Sequence, residues 1–362
     1  MNRSMAQRPP TSAARDRGPK NIAVVGAGIA GLACARTLMQ AGHQLSVFDK
    51  GDSPGGRTAG CDSPFGSFDP GAQYFTVRDA RFGKVLATTP GLCRPWSANA
   101  VRVLDPHGRV AEAALPNPEA HWVPAPRMDA LAAAWAQPLL AAGRLELQTR
   151  VVRIERDTLD AGRWQLRTAG PQDAVHVYSG FDAVLLAVPS SLAGGLLQAS
   201  GLAPTMAAAV GAVEVAPCWT LMLAFPQAVQ PNLPHLGPQW NAALSTHHRI
   251  AWLARESSKP RRGGVERWTV QASAAWSAEH LEDDRARVQA KLLKAFAEVT
   301  GIRAEPAYAE VLRWRQAKTL KPLGRSHLWD AGAGLGVCGD WCLGHRVENA
   351  FVSGLELALA VA

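Results

Sequence analysis

The chain reads Ile22-Ala-Val-Val-Gly-Ala-Gly-Ile-Ala-Gly-Leu32 near its N-terminus, and this stretch decides the fold. Its apolar residues predict a buried strand, its glycines a tight turn, and the residues that follow the start of a helix. The glycines match the dinucleotide fingerprint. Gly26 permits the turn, Gly28 leaves room for a pyrophosphate, and Gly31 lets the helix pack against the strand. The stretch therefore predicts a Rossmann-like unit that binds a dinucleotide at a helix N-terminus.

A second strand, Gln44–Phe48, ends at Asp49, where an acid that binds the ribose belongs. The chain then continues through Lys50 to Pro-Gly-Gly-Arg57. This glycine pair predicts a loop over the same pyrophosphate, in which Gly56 gives the backbone freedom and Arg57 offers forked hydrogen bonds to the phosphates. The next motif, Gly71-Ala-Gln-Tyr-Phe75, would place Gln73 and Tyr74 beside a ring system, although Tyr74 and Phe75 also suit a core.

Composition limits the class of protein. The 362 residues are 47% hydrophobic and 19% charged, which is typical of a globular chain. About half of the net charge of +8 lies in residues 1–20, a Pro-rich segment that we expect to be a disordered basic tail rather than a secretory signal. The remaining charge is spread out, which argues against a nucleic-acid partner. No apolar run approaches the roughly 20 residues that a membrane span needs.

The six cysteines are scattered, and none has a Cys or His partner at the spacing of a metal site. They predict reduced thiols and a cytoplasmic location rather than a disulfide framework. No metal site is therefore expected.

The middle of the chain predicts two domains. The apolar run Phe181–Pro189 suits a central parallel strand, so the chain returns there to the dinucleotide-binding sheet. We expect residues 21–77, 145–200 and 330–362 to form the cofactor domain, and residues 78–144 and 201–329 a discontinuous α+β substrate domain. Within these, Leu145–Arg156 predicts a strand whose backbone at Val152 can bind an adenine edge, and Ala278–Thr300 one amphipathic helix.

The C-terminal motif is Leu335-Gly-Val-Cys-Gly-Asp-Trp-Cys342, followed by Arg346-Val-Glu-Asn-Ala350 at the start of a helix. Asp340 can accept hydrogen bonds from a polyol chain, and the helix N-terminus suits a developing negative charge. A flavin has both features: a ribityl polyol chain and a ring whose pyrimidine side can develop negative charge. Because the two ends of the chain must converge on one elongated molecule, the motifs together predict FAD.

At this point the sequence resembles the renalase family, bacterial branch, within the flavin amine oxidase superfamily. The resemblance covers about residues 21–360. Its most specific motifs are Gly71-Ala-Gln-Tyr-Phe75 and Cys338-Gly-Asp-Trp-Cys-Leu343, with Trp252-Leu-Ala-Arg255 and Ser258-Lys-Pro260 between them.

This resemblance implies an amine-oxidase-like fold with noncovalent FAD. It implies oxidation of the 2- and 6-dihydro isomers of NAD(P)H to NAD(P)⁺, with hydride transfer to flavin N5 and reoxidation by O₂ to give hydrogen peroxide. No catalytic side chain is then required. The implied FAD-site residues are Ala30, Asp49, Lys50, Arg57, Gln73, Tyr74, Val152, Asp340, Arg346, Val347 and Glu348, in addition to the glycines named above.

The expected substrate pocket is built from Tyr74, Gln271, Trp314 and Lys318. The sequence departs from the family pattern at two of these positions: related bacterial sequences have His in place of Gln271 and Tyr-Ala-Arg in place of Gln316-Ala-Lys318. Lys318, Lys321 and Arg325 are candidates for a substrate phosphate or are solvated surface charges. The tryptophans of the second domain mostly fill a core, while one or two line a pocket.

Three other functions remain open from the sequence. The first is an amine oxidase, whose aromatic residues Trp219, Trp314 or Trp341 would flank the flavin. The second is a flavin-free or flavin-storing scaffold that binds a partner. The third is a nicotinamide dehydrogenase that uses only the first glycine motif.

Overall fold

A computed structural model of the chain describes residues 18–96, 102–112, 119–171, 174–229 and 240–362. Most of the predicted basic tail lies outside these residues. So do part of the segment 98–104, for which the sequence predicts a strand, and most of the Pro-rich segment 227–241, for which it predicts a loop. None of the described helices is long and apolar enough to cross a bilayer.

The described helices are, in chain order, α1 Ile29–Gln40, α2 Ala80–Leu86, α3 Ala130–Ala141, α4 Ser190–Ala199, α5 Pro204–Gly211, α6 Ala274–Glu279, α7 Arg285–Thr300 and α8 Val347–Val361. The strands are β1 Asn21–Val25, β2 Gln44–Phe48, β3 Cys61–Ser63, β4 Gly66–Phe68, β5 Cys93–Trp96, β6 Arg102–Leu104, β7 Val110–Glu112, β8 His121–Pro124, β9 Leu145–Glu146, β10 Arg150–Arg156, β11 Trp164–Ala169, β12 Val175–Phe181, β13 Ala183–Leu186, β14 Glu214–Phe225, β15 Ala242–Ser245, β16 Ile250–Arg255, β17 Glu266–Ala272, β18 Tyr308–Lys321, β19 Leu328–Asp330 and β20 Leu335–Val337.

A six-stranded sheet is formed by segments from the beginning, middle and end of the chain, in the order β19-β20-β13-β1-β2-β9. All its neighbouring pairs are parallel except β19–β20. Its central strands β1 and β13 are nearly free of solvent contact because helices cover the sheet. The central parallel strand expected at 181–189 is confirmed, and so is the α/β class.

A seven-stranded sheet forms the other large layer, in the order β18-β14-β17-β16-β15-β6-β7. Helix α7 packs on it and buries Val288, Leu292 and Phe296 against the tryptophans of the sheet. The antiparallel β10-β11-β12 sheet and two short antiparallel pairs, β3–β4 and β5–β8, complete the described strands. The two large sheets enclose a cleft.

Two of the secondary-structure elements predicted from the sequence differ from those in the structure. The helix expected over Ala278–Thr300 is two helices, because the Asp284 carboxylate accepts hydrogen bonds from the backbone of Ala286 and Arg287 and so caps a new helix at Arg285. The strand expected over Leu145–Arg156 is divided between two sheets. Its break lies at Gln148, which has a φ of 52°.

Candidate cofactor and substrate cleft

The cleft has a volume of about 2150 Å³ and opens at the carboxyl ends of β1, β2 and β13. This is where ligands bind in open α/β sheets. Its volume is more than twice the roughly 1,000 Å³ at the upper end for drug-sized ligands, so there is room for a large cofactor and a substrate together. The predicted residues that line it are Gly26, Gly28, Ala30, Asp49, Lys50, Gly56, Arg57, Gln73, Tyr74, Val152, Gln271, Trp314, Lys318, Asp340, Arg346 and Val347.

Two predicted residues, Gly31 and Glu348, are not among those that line the cleft. A Cβ at Gly31 would lie 1.8 Å from the carbonyl oxygen of Gly26, so this glycine serves the close helix–strand packing that the motif predicts. The Glu348 carboxylate is buried and accepts hydrogen bonds from the backbone N–H groups of Arg78 and Asp79, at 2.5 and 2.7 Å. It therefore joins α8 to the segment before α2.

Backbone forms the wall of the cleft at the glycine motif. Gly26 has a φ of 110°, and a Cβ there would lie 2.5 Å from the Ala187 carbonyl oxygen. Gly28 differs, because the nearest atom to an added Cβ is the Gly55 carbonyl oxygen at 4.0 Å. Gly28 is also the N-cap of α1 and supplies no side-chain cap, so the helix N-terminus is left for an anion. This glycine cradle has the shape and the donors that a pyrophosphate needs.

The Asp49 carboxylate is fixed by two backbone groups at the same wall. One oxygen accepts a hydrogen bond from Ala27 at 2.6 Å and the other from Gly51 at 2.7 Å. These bonds tie the end of β2 to the glycine turn. A carboxylate oxygen has more than one acceptor site, so Asp49 keeps capacity for a ribose hydroxyl.

Arg57 and Asp340 join the two ends of the chain across the cleft. The guanidinium donates to both carboxylate oxygens, at 3.0 and 2.5 Å. Such a bidentate pair is geometrically specific. The sequence placed Arg57 at the pyrophosphate and Asp340 at the ribityl chain; the structure adds that they contact each other directly.

Val152 lies at an irregularity in the β10–β11 ladder. Val151 pairs with Thr168 and Arg153 with Arg167, which leaves Val152 without a partner in the register. Bulged residues expose backbone groups and re-aim side chains. The cleft therefore has a backbone edge at the position where the sequence suggested contact with adenine.

A buried ionic cluster, which the sequence did not predict, supports Gln73 from behind. It consists of Asp69, Glu256, Lys259 and Arg262, whose side chains are at most 1% exposed. The Lys259 ammonium donates to Asp69 at 2.8 Å, to Glu256 at 3.0 Å and to Gln73 Oε1 at 3.1 Å. The nearby cations hold the pKa of Asp69 below its usual range against the effect of burial. Two acids and two bases balance in charge, as burial requires.

Three side chains of the seven-stranded sheet hold the backbone of the Gly-Ala-Gln-Tyr segment. The Pro70 carbonyl accepts hydrogen bonds from Trp314 Nε1 and Thr220 Oγ1, both at 3.0 Å. The Gly71 carbonyl accepts from Gln271 Nε2 at 2.7 Å. The donor groups of Gln271 and Trp314 are thus used inside the protein. Only their remaining surfaces are available to a substrate.

Tyr74 is the centre of an aromatic group at the cleft, together with Trp96, His121 and Trp252. The ring centroids lie 6.3, 4.1 and 5.8 Å from that of Tyr74. Burial raises the pKa of Tyr74 and lowers the pKa of His121, so both rings are neutral near pH 7. The tryptophan prediction holds: most are core residues, and of those considered from the sequence Trp252 and Trp314 line the cleft, whereas Trp219 and Trp341 do not.

The charge of the cleft is predominantly positive. Nine of the described Lys and Arg residues line it against four Asp and Glu residues, and two of the nine, Arg313 and Arg315, are paired with Glu282 outside the lining. Among the described residues, Lys318 and Arg346 have no carboxylate within salt-bridge distance. Lys321 lies outside the lining and is paired with Glu214 at 3.8 Å, and Arg325 is also outside it. Of the three phosphate candidates, only Lys318 reaches the cleft.

Comparison with known families matches this site to flavoproteins. Residues 24–87 match the NAD(P)-binding Rossmann-like domain, and residues 109–362 match the flavin-containing amine oxidoreductases. The second match covers well over half of the chain, so the chain belongs to the flavin-containing amine oxidoreductase family. It is an FAD-dependent oxidoreductase.

Solved structures share the fold at low sequence identity. A protein from Exiguobacterium sp. 255-15, provisionally assigned as a protoporphyrinogen oxidase, aligns with a TM-score of 0.71 and 14% identity over 94% of this chain and 98% of its own. A wild-type putrescine oxidase bound to putrescine aligns with a TM-score of 0.69 and 12% identity over 95% and 99%. At these identities the likeness is one of fold.

Curated relatives match only a short segment. A 4,4'-diapophytoene desaturase from Staphylococcus haemolyticus is 43% identical over 58 residues, 16% of this chain and 12% of the desaturase. A hydroxyneurosporene desaturase from Rhodobacter capsulatus is 37% identical over 62 residues, 17% of this chain and 13% of its own length. The chain thus spans about an eighth of the length of these relatives.

Proposed function

We propose that this chain is a renalase-like oxidase that converts the 2- and 6-dihydro isomers of NAD(P)H to NAD(P)⁺, with O₂ as the electron acceptor. The observation that carries the proposal is the positive charge of the cleft. Among the described residues, nine basic side chains line it against four acidic ones, and an excess remains after Glu282 and the two charges of an FAD pyrophosphate are counted. A dinucleotide brings a pyrophosphate, which this field attracts, whereas a protonated amine would be repelled. The motifs quoted from the sequence agree with this choice of substrate.

The residues present fit the cofactor. The glycine cradle and the N-terminus of α1 suit the pyrophosphate, Asp49 the ribose, Val152 the adenine and Asp340 the ribityl chain. The N-terminus of α8, whose N-cap Arg346 gives no side-chain cap, suits the pyrimidine side of the flavin ring. When bound there, FAD supplies an acceptor for two electrons.

The side chains of the cleft then bind and orient the substrate. Lys318 offers a point charge to a phosphate, and the aromatic group around Tyr74 gives an apolar wall against the reacting ring. The overall reaction balances when the dihydronicotinamide loses a hydride and O₂ gains that hydride and one proton to form hydrogen peroxide. Since a hydride leaves the substrate directly, no side chain has to act as a general base.

The deciding experiment mixes the FAD-loaded protein anaerobically with each reductant and follows loss of flavin absorbance. Rapid bleaching is expected with the 2- and 6-dihydro isomers, and little with ordinary NADH, putrescine or benzylamine. The Lys318→Ala variant should raise the concentration of isomer needed for half-maximal bleaching about tenfold, through loss of a charge-assisted contact. Lys321→Ala, which removes a cation outside the cleft, is the matched control.

An amine oxidase is the second candidate, and the shared fold with a putrescine oxidase favours it. An aromatic group beside the flavin would also suit a small amine. Bleaching by amines but not by the isomers would establish this function and remove the first.

A further inference from the structure

The side chains of Tyr74 and His121 form a pair at the cleft whose polar atoms the protein does not use. Their ring centroids lie 4.1 Å apart, and both residues are half-buried in the cleft wall. Among the described residues, no hydrogen bond involves the Tyr74 hydroxyl or the His121 imidazole. Unused donors and acceptors on an aromatic wall are typical of a ligand site, which is mostly apolar with a few placed polar groups.

The backbone fixes this pair. Phe75 and Trp122, the next residues along each segment, exchange two backbone hydrogen bonds of 2.9 and 2.8 Å. His121 is also the register partner of Trp96 in the β5–β8 ladder. Because this bridge is antiparallel, Tyr74 is opposite Val123, and His121 lies two residues from Val123 on the same strand. Tyr74 and His121 are therefore diagonal neighbours, whose side chains lie on one face and within reach of each other. The pair is preorganised rather than assembled by the ligand.

The wall behind the pair is rigid and apolar. Trp252 and Trp96 pack against Tyr74, and both are nearly fully buried. Trp96 Nε1 donates to Ser258 Oγ at 3.1 Å, and the Lys259 ammonium lies 5.6 Å from the centre of the Trp96 ring. The buried ionic cluster thus holds the aromatic wall in place from the side away from the cleft.

The chemistry of the pair selects one class of ligand. The Tyr74 hydroxyl is protonated and is both donor and acceptor, and a neutral imidazole has one donor and one acceptor nitrogen. A carboxamide has one acceptor oxygen and an NH₂ donor, so it complements these groups. A planar ring attached to the carboxamide can pack against the aromatic face.

We propose that Tyr74 and His121 form the seat for the carboxamide and ring of a nicotinamide, so that they distinguish a nicotinamide dinucleotide from a nucleotide that lacks this ring. The proposal rests on the proposed function, since it assigns a subsite within the same cleft. It adds His121, Trp96 and Trp252 to the residues that determine substrate specificity.

The test measures the affinity of the FAD-loaded protein for two redox-inert ligands, NAD⁺ and ADP-ribose, by isothermal titration. ADP-ribose keeps the phosphates and the adenine but lacks the nicotinamide. The variants are Tyr74→Phe, which removes only the hydroxyl, and His121→Ala. Tyr178→Phe and His176→Ala are matched controls, because neither residue lines the cleft.

We expect NAD⁺ to bind the wild-type protein more tightly than ADP-ribose does. The Kd for NAD⁺ should rise about fivefold in Tyr74→Phe and about tenfold in His121→Ala, whereas the Kd for ADP-ribose changes less than about twofold. Equal losses for both ligands, or equal affinities of the wild-type protein for both, would overturn the proposal. Flavin content and Tm identify a variant that has lost its fold. If His121→Ala does not fold, Tyr74→Phe, which keeps the aromatic ring, still tests the proposal.

Failure of this proposal and failure of the proposed function give different results. If the protein prefers NAD⁺ through this pair but the isomers do not bleach its flavin, the nicotinamide site is supported and the oxidase function is contradicted. If the isomers bleach the flavin but neither substitution changes the affinity for NAD⁺, the proposed function is supported and the nicotinamide site at Tyr74 and His121 is contradicted.

Discussion

The two walls of the cleft are built in different ways. The wall at the six-stranded sheet is mainly backbone: glycines at positions 26, 28 and 56 and the N-terminus of α1, next to the bulge at Val152 in the β10-β11-β12 sheet. The wall at the seven-stranded sheet is made of large side chains, among them Gln271, Trp314 and Trp252. Backbone groups have one geometry whatever residues surround them, whereas large side chains present shapes that differ between sequences.

This difference separates two tasks. A backbone wall suits a cofactor that is the same throughout a family, because its donors and its open space do not depend on side-chain identity. A side-chain wall suits the substrate, because exchange of one residue changes shape and hydrogen bonding. The Pro70–Gly71 segment connects the walls, since side chains of the second wall hold it and it leads directly to Gln73 and Tyr74.

The largest effect is expected from a side chain placed in the backbone wall. Gly28→Val should weaken FAD binding about a hundredfold, or by about 2.7 kcal/mol, because the branched side chain fills the space for the pyrophosphate. The fold should survive, since an added Cβ meets no atom closer than 4.0 Å. FAD titration of the apoprotein gives the affinity and Tm the fold. Gly211→Val, at an open position outside the cleft, is the control, and equal FAD affinity of both variants would contradict this account of the wall.

The next effect is expected where the chain ends meet. Asp340→Ala should lower FAD affinity about tenfold to fiftyfold, because it removes a ribityl acceptor and leaves Arg57 without its bidentate partner. Flavin release on dialysis and direct titration both measure this loss. Glu155→Gln, which breaks an exposed carboxylate–arginine contact in the β10-β11-β12 sheet, should leave FAD affinity unchanged. A dehydrogenase that used only the first glycine motif would be equally insensitive to both changes.

A smaller effect is expected from the side-chain wall. Trp314→Phe keeps an aromatic surface but loses the hydrogen bond to the Pro70 carbonyl, worth about 1 kcal/mol. We expect kcat/KM for the dihydronicotinamide isomers to fall about fivefold, with FAD affinity changed less than about twofold. Trp219→Phe loses a comparable bond, to the His280 carbonyl, but lies outside the cleft lining and should leave kcat/KM intact. If FAD affinity fell more than kcat/KM, the division of tasks between the walls would be wrong.

The smallest effect is a pH dependence at the side-chain wall. Burial lowers the pKa of His121, while Glu119 opposes this shift, so the ring gains a proton only below its usual range near 6.5. That proton adds positive charge beside the cationic ring of NAD⁺. The affinity of the wild-type protein for NAD⁺ should therefore fall about twofold to threefold as the pH drops from 7 to 5. Titrations of His121→Ala over the same pH range should lack this component.

The sequence predicted the backbone wall well because its parts are contiguous motifs. Gly26 through Gly31 form the turn after β1 and the first residues of α1, and Asp49 follows the next strand directly, so spacing alone places these groups together. The side-chain wall was predicted only as a set of residues. Gln271 and Trp314 do line the cleft, but no pattern in the sequence indicates that they donate to the backbone of Pro70 and Gly71.

The ionic cluster and His121 were missed for the same reason. Lys259 and Asp69 are 190 positions apart and meet only when β16 is laid beside the Gly-Ala-Gln-Tyr segment. Charged residues at such separations look like surface residues in a sequence. Their burial becomes evident only from the packing that excludes water around them.

By itself, the sequence determined the class of fold, the FAD cofactor and the glycine turn after β1, because local hydrogen bonding and steric freedom of glycine act over a few residues. The tertiary structure alone decided that Arg57 pairs with Asp340, that the tilted rings of Tyr74 and His121 lie 4.1 Å apart and that the cleft is basic. These features depend on which distant strands become neighbours, and that choice is made by burial of the whole core rather than by any local pattern.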